Sequence, residues 1–379
     1  MYKFNLRLFG MLEIEDIPRD ERYFVLDDTV CKKTGKMMEN VSYIFDHNLG
    51  RSVLGYCILT LGLLAGNGFY PIDFAFKFGK KRRDETPEKI GSPKSISGQR
   101  SYEAKHYTKL ELSVMMITTA VSYGICPGYV MCDSWFSLPS FILEIRNIGD
   151  KGIHVICRLK NNNVKYLYKG KEYKLKELYE KVKSSFKKDK KTGLLLTRIR
   201  VKLPQSDDYI VIVFSKGYCE PEISVTKGIK KKKKSKWVAF LSTNTNLHSS
   251  TIIEKYTKRW SVVVCFKECK QMLGLGKDQS NNFNAQVFAT TATFIRYNLL
   301  NYLNENENHA TLGTLFEHLK DDYAVISYSQ RLWDFFRELF MISFQALFDI
   351  FEIDGDFGTY FDALCDAVSA FTPIRGCET

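Results

Sequence analysis

The chain has 379 residues, enough for two or three domains with a sizeable buried core. Its composition of 45% hydrophobic, 26% charged and 14% aromatic residues is that of a globular protein, and no uninterrupted apolar run reaches the roughly 18 residues of a membrane span. The formal net charge of +12 is unevenly placed: residues 151–240 hold 25 Lys+Arg against 8 Asp+Glu, a net of +17 that leaves −5 for the remainder.

A basic middle on a mildly acidic protein is the electrostatic footprint of a polyanion binder. The N-terminal stretch lacks the apolar centre and cleavage site of a signal peptide. The ten cysteines are scattered without a C-x-x-C pair, which points to reduced thiols in a cytoplasmic protein and away from a zinc site.

In chain order, YFVLDDTV (23–30) reads as a short strand with two aspartates at its end. SVLGYCILTLGLLA (52–65) and FYPIDFAFKF (69–78) read as a hairpin joined by GNG. Residues 79–101, rich in Lys, Pro, Gly and Ser, read as a surface loop. Leu110, Val114, Ile117 and Val121 set helical spacing over 103–123. GYVMCDSWFS (128–137) opens as a strand and closes on an aspartate, with a helix at 138–147 and a strand at 153–159 to follow. Short β-like runs alternate with lysine-rich loops from 160 to 242, which suggests an inserted β-rich domain. Helical periodicity resumes at Ser249, over 249–273 and 283–304, and continues to the C-terminus.

Two core strands therefore end in carboxylates, where ligand sites form on such sheets. LDDT at 26–29, CDSWFS at 132–137 and Y-x-x-R-W at 256–260 with Lys270 resemble the three motifs of the DDE transposases of the insertion-sequence-4 family, and FKECKQMLGL follows as it does in that family. The resemblance covers residues 20–300. It implies an α/β fold, a ribonuclease-H-like mixed sheet flanked by helices, interrupted by a β-rich insertion and completed by C-terminal helices. The corresponding divisions are 1–159, 160–248, 249–304 and 305–379. It also implies cut-and-paste transposition, with two Mg²⁺ or Mn²⁺ ions cutting and rejoining double-stranded DNA at insertion-sequence ends and target. A homodimer on DNA, in a cytoplasmic, nucleoid-associated setting, goes with it.

Hard divalent cations call for carboxylate oxygens. By position Asp28 is the shared metal ligand and Asp133 the second; Asp27 is disfavoured because adjacent strand residues point to opposite faces. The bland alternative for Asp133 is an N-cap before the 138–147 helix. The resemblance gives Tyr256, Arg259 and Lys270 the task of holding the DNA strand. At about 100° per residue they share one helix face with position 263, within an arc of roughly 60°. The family's third carboxylate, a glutamate, belongs at that position, and this chain has Val263 there. Glu268 lies about 140° further round and cannot substitute.

Two expectations follow: impaired catalysis, or a catalytically inactive remnant that still binds DNA. The first aspartate lies near the start of the chain, which suggests an N-terminally truncated copy. In the insertion, Lys230, Lys231, Lys232, Lys233 and Lys234 form the candidate DNA track. The resemblance makes Trp237 a candidate to receive an unstacked base, against burial in the insertion's own core. Trp260 is expected to pack the helix on the sheet and His47 to sit in a loop. A ribonuclease-H-like nuclease of another kind leaves the Tyr-Arg-Lys helix unexplained.

Overall fold

The computed structural model describes residues 1–47, 49–79, 92, 94–149, 152–218, 237–307 and 312–325, with 336, 337, 341, 358, 359 and 361. Two compact units divide the chain, Met1–His309 and Ala310–Thr379.

The first unit begins with α1 (Tyr2–Met11). The aspartate-bearing strand β1 (Tyr23–Lys32), β2 (Ser42–Asp46), β3 (Arg51–Ala65) and β4 (Gly68–Lys77) follow. Ala65 pairs with Gly68 across the tight turn between β3 and β4. Gly66 takes φ +57° there, the glycine-first geometry that suits a two-residue hairpin. Next come α2 (Ile96–His106), α3 (Lys109–Ser122), β5 (Tyr129–Cys132), α4 (Pro139–Arg146) and β6 (His154–Arg158).

The basic segment supplies β7 (Lys165–Tyr168), β8 (Lys171–Lys174), α5 (Leu175–Val182), β9 (Lys187–Lys188), β10 (Leu195–Lys202), β11 (Tyr209–Lys216) and β12 (Val238–Ser242). The unit ends with α6 (Ser249–Thr257), α7 (Ser261–Gln271) and α8 (Phe283–Glu307). In the second unit the described element is α9 (Leu312–Val325).

Among the described residues the strands form one mixed sheet, ordered β2-β3-β1-β5-β6-β12-β11-β10-β7-β8, with β4 on β3 and β9 on β10. Strands β4, β3 and β1 run antiparallel in turn, while β1, β5 and β6 are parallel. That order is consistent with a ribonuclease-H-like core. One apolar cluster fills the face beneath α3 and α4, where Leu26, Leu61 and Val130 meet Ile117 and Ile142. The same cluster continues through Leu178, Ile199 and Phe214.

Four features depart from the sequence expectation. The segment 160–248 is not set apart: β12 pairs antiparallel with β6, and its strands extend the core sheet. The 79–101 loop gives way to α2 at Ile96, where Ser95 accepts a hydrogen bond from the Gly98 amide. The expected 103–123 helix breaks in two, because Thr108 and Glu111 form a capping box that starts α3 afresh. The 249–273 helix is interrupted by a 3-10 turn at Lys258–Trp260. No helix among the described residues is long and apolar enough to cross a membrane.

Candidate active site

Strand alternation places Asp27 and Asp28 on opposite faces of β1, and the structure shows what each face meets. On one side lie α6 and α7. Arg259, 5% exposed, donates from Nη1 to Asp27 Oδ2 at 2.7 Å. Lys270 Nζ donates to Thr29 Oγ1 at 2.6 Å and to the Val30 carbonyl at 2.9 Å. On the other side the Lys109 ammonium lies 2.9 Å from Asp28 Oδ2, and the Cys57 thiol donates to the same oxygen at 3.1 Å.

The helix carrying the Tyr-Arg-Lys motif therefore covers Asp27, not Asp28 as expected. Alternation was read correctly, but local sequence does not tell which face a helix two hundred residues away will cover.

Asp133 follows directly after β5. Leu26 pairs with Cys132 at the last rung, so Asp27 and Asp133 are the next residues along two parallel strands. Asp133 Oδ1 accepts from the Trp135 amide at 2.8 Å, capping a 3-10 turn at Ser134–Phe136. Asp133 therefore caps this short turn and not α4, whose N-cap is Leu138, and a carboxylate can cap a turn with one oxygen and present the other elsewhere.

The electrostatics join the three acids. Burial pushes the Asp27 carboxyl up to about 6; the Arg259 guanidinium opposes this, while the charges of Asp133 and Asp28 add to it. Burial also raises Asp133, against the Trp135 amide and Arg259, with the charge of Asp28 contributing. Burial works against the Lys109 ammonium, but Cys57 and Asp28 outweigh it and its pKa is raised.

Of the remaining predicted residues, Tyr256 is fully buried, its ring 4.9 Å from Phe240 and beneath the Arg259 guanidinium. As folded, Tyr256, Arg259 and Lys270 are all engaged inside the protein. Val263 is half-buried on α7. Seven residues before Lys270, it sits within roughly 20° of it, on the stripe that reaches β1. Its side chain has no oxygen to offer a cation.

Glu268 accepts from the Tyr297 hydroxyl on α8 at 3.1 Å, away from the aspartates. Trp237 stacks on Tyr179 at 4.5 Å and 12° and meets Phe214 edge-on, which is the packing alternative. Trp260 is half-buried beside Arg259, and His47 is exposed in a turn against Phe45. Lys230, Lys231, Lys232, Lys233 and Lys234 lie outside the described residues.

Sequence reasoning missed Lys109, Cys57 and the use of Asp27 as partner to Arg259. The capping signal at 108–111 could have put Lys109 in a first helical turn, but nothing local ties it to β1. Among the described residues no group of three or more His, Cys, Asp or Glu is gathered tightly enough to hold a metal ion.

Residues 3–172 match the model of the DDE superfamily endonuclease family, and residues 116–299 match the Transposase DDE domain. These matches support a DDE transposase. The DDE superfamily's nucleases typically use divalent metal ions, and the transposase domain implies DNA as substrate. No curated protein matches the chain. Among solved structures, the NurA nuclease from Sulfolobus solfataricus is similar at 8% identity, covering 80% of this chain and 95% of that one. Its TM-score of 0.26 is too low to bear on the fold.

Proposed function

We propose that this chain is a transposase of the insertion-sequence-4 kind, built for cut-and-paste cleavage and transfer at insertion-sequence ends and impaired by Val263. The observation that carries this reading is that Asp27, in mid-strand, and Asp133 are the next residues after the last parallel rung of β1 and β5, on the side where α7 brings Arg259 and Lys270 to β1. Acids forced to share a partly buried space are relieved by a cation, and their hard oxygens suit Mg²⁺ or Mn²⁺.

Of the two β1 aspartates, Asp27 lies on the face that α7 covers with position 263, so Asp27 and Asp133 are the ligands we assign; Asp28, expected from the sequence as the shared ligand, is held by Lys109 and Cys57 on the opposite face. Two such ions, when bound, would activate the attacking group and stabilise charge on the phosphate. The chain's own part is to aim these carboxylates, to keep Arg259 desolvated against Asp27 and to anchor α7 to β1 through Lys270. A homodimer on DNA and association with the nucleoid belong to the same proposal.

A second reading, a DNA-binding remnant without catalysis, is favoured by Val263 itself, since binding through basic residues does not require a third carboxylate. One experiment separates the two. The chain and Val263→Glu are incubated with duplex carrying insertion-sequence ends, with Mg²⁺ or Mn²⁺, while DNA and metal binding are measured in parallel. Nicking should be faster in Val263→Glu by on the order of 10²-fold, the usual effect of restoring one group that stabilises transition-state charge. DNA affinity should be the same in both. Equal nicking by the two proteins would refute the assignment of position 263. Inertness of both, with DNA affinity intact, would favour the remnant.

A further inference from the structure

Resting on the transposase reading above, we propose that Trp135 is a stacking platform for an unpaired DNA base, one or two nucleotides from the phosphate addressed by Asp27 and Asp133. The exposure of this tryptophan needs explaining. Among the described residues Trp237 and Trp260 are half-buried, whereas Trp135 is 46% exposed. Its neighbour Phe136 is buried. The turn thus sends the smaller ring into the core and leaves outside the side chain with the larger surface to bury.

The ring is tied to the candidate site. The Trp135 amide donates to Asp133 Oδ1 at 2.8 Å, which fixes the Ser134–Phe136 turn against that carboxylate. Two residues of chain span at most about 7.6 Å between Cα atoms, so the indole is rooted within that distance of Asp133. Along one DNA strand the rise is about 3.4 Å per nucleotide, which puts the first or second base beside the addressed phosphate within reach. Phe136 braces the ring edge-on at 5.0 Å and 78°.

Charge favours the approach. The Lys109 ammonium lies 5.3 Å from the indole and also 2.9 Å from Asp28 Oδ2. The acid on this side is thereby neutralised, and a phosphate backbone passing the ring meets an ion pair in place of a bare carboxylate. A base lies flat on the indole only when it has left its own stack, and stacking on an aromatic face is tolerant of base identity. The platform therefore selects for an opened helix end and not for a sequence.

The test is DNA binding by the full chain at low salt with EDTA present. The probes are a fully paired duplex and the same duplex ending in a short single-stranded tail that carries the fluorescent base 2-aminopurine. The natural protein is compared with Trp135→Leu, which keeps apolar bulk, and Trp135→Phe, which keeps an aromatic face. The natural chain should prefer the tailed duplex by about tenfold and quench the 2-aminopurine. Trp135→Leu should lose preference and quenching, with its affinity for the paired duplex and its urea midpoint unchanged, while Trp135→Phe should keep most of both. Binding of the two DNAs with equal affinity by the natural chain overturns the platform and leaves the transposase reading standing. So does a preference that survives in Trp135→Leu, or an equal loss on both DNAs in that variant. No binding of either DNA by the natural chain overturns both proposals together.

Discussion

Replacing Arg259 with methionine should produce a loss of stability that depends on pH in a definite direction. Free in an unfolded chain, Asp27 titrates near 3.9; in the folded chain it is pushed up to about 6, burial outweighing the guanidinium. A folded-state value raised in an acid means that the folded form holds its proton the more tightly. That contribution is fully present below about pH 4 and is lost as pH climbs through 6, a span corresponding to about 3 kcal/mol. The guanidinium, 2.7 Å from Oδ2, holds the value down. Without it the folded value rises further, so the extra loss in the variant opens only above about pH 6.

At pH 5 both proteins carry a neutral Asp27, and the variant should lose roughly 1–2 kcal/mol for one hydrogen bond and its packing. At pH 8 the carboxylate is left buried without its partner, and the loss should reach roughly 3–5 kcal/mol. Urea denaturation at pH 5 and pH 8, with EDTA present to exclude metal, reads the difference directly. An equal loss at both pH values, or a larger one at pH 5, would refute the assignment of Arg259 as the charge partner of Asp27.

Two further outcomes follow from packing. Trp237→Ala removes the ring stacked on Tyr179 and should cost roughly 2–3 kcal/mol, below the full-core value because Trp237 is half-buried. DNA affinity should not change, and a drop in affinity at unchanged urea midpoint would restore Trp237 as a base receiver. Gly276→Ala should cost roughly 2–4 kcal/mol by the same assay. Gly276 sits at φ +78°, and a Cβ there would fall 2.7 Å from Cys31 Cβ on β1. A variant as stable as the natural chain would mean that the turn after α7 is not held against β1.

The core strands are legible in the sequence as apolar runs, although β1 continues past its two aspartates to Lys32 because β3 pairs with it throughout, and periodicity also finds most of α3 and α8. What escaped was set by partners remote in the chain. The alternation that separates Asp27 from Asp28 is a local property, but the face chosen by α7 depends on Arg259 and Lys270 reaching β1 across more than two hundred residues. The helical phase of Tyr256 was correct, yet phase alone does not distinguish a DNA-facing hydroxyl from a ring packed on Phe240. The fate of 160–248 was hidden for the same reason. Strands β11 and β12 are continuously buried, but an apolar run does not name its neighbour, and the pairing of β12 with β6 is what joins them to the core.

That pairing makes the protein hard to trim. Phe240, Leu241 and Ser242 occupy the ladder positions opposite Arg158, Cys157 and Ile156. A version shortened by removing 160–248 would bare a sticky margin of unpaired amides and carbonyls beside an apolar strand, an invitation to aggregate. The lysine-bearing strands are thus not a detachable accessory: they cover the margin of β6, the neighbour of the strand that leads into Asp133.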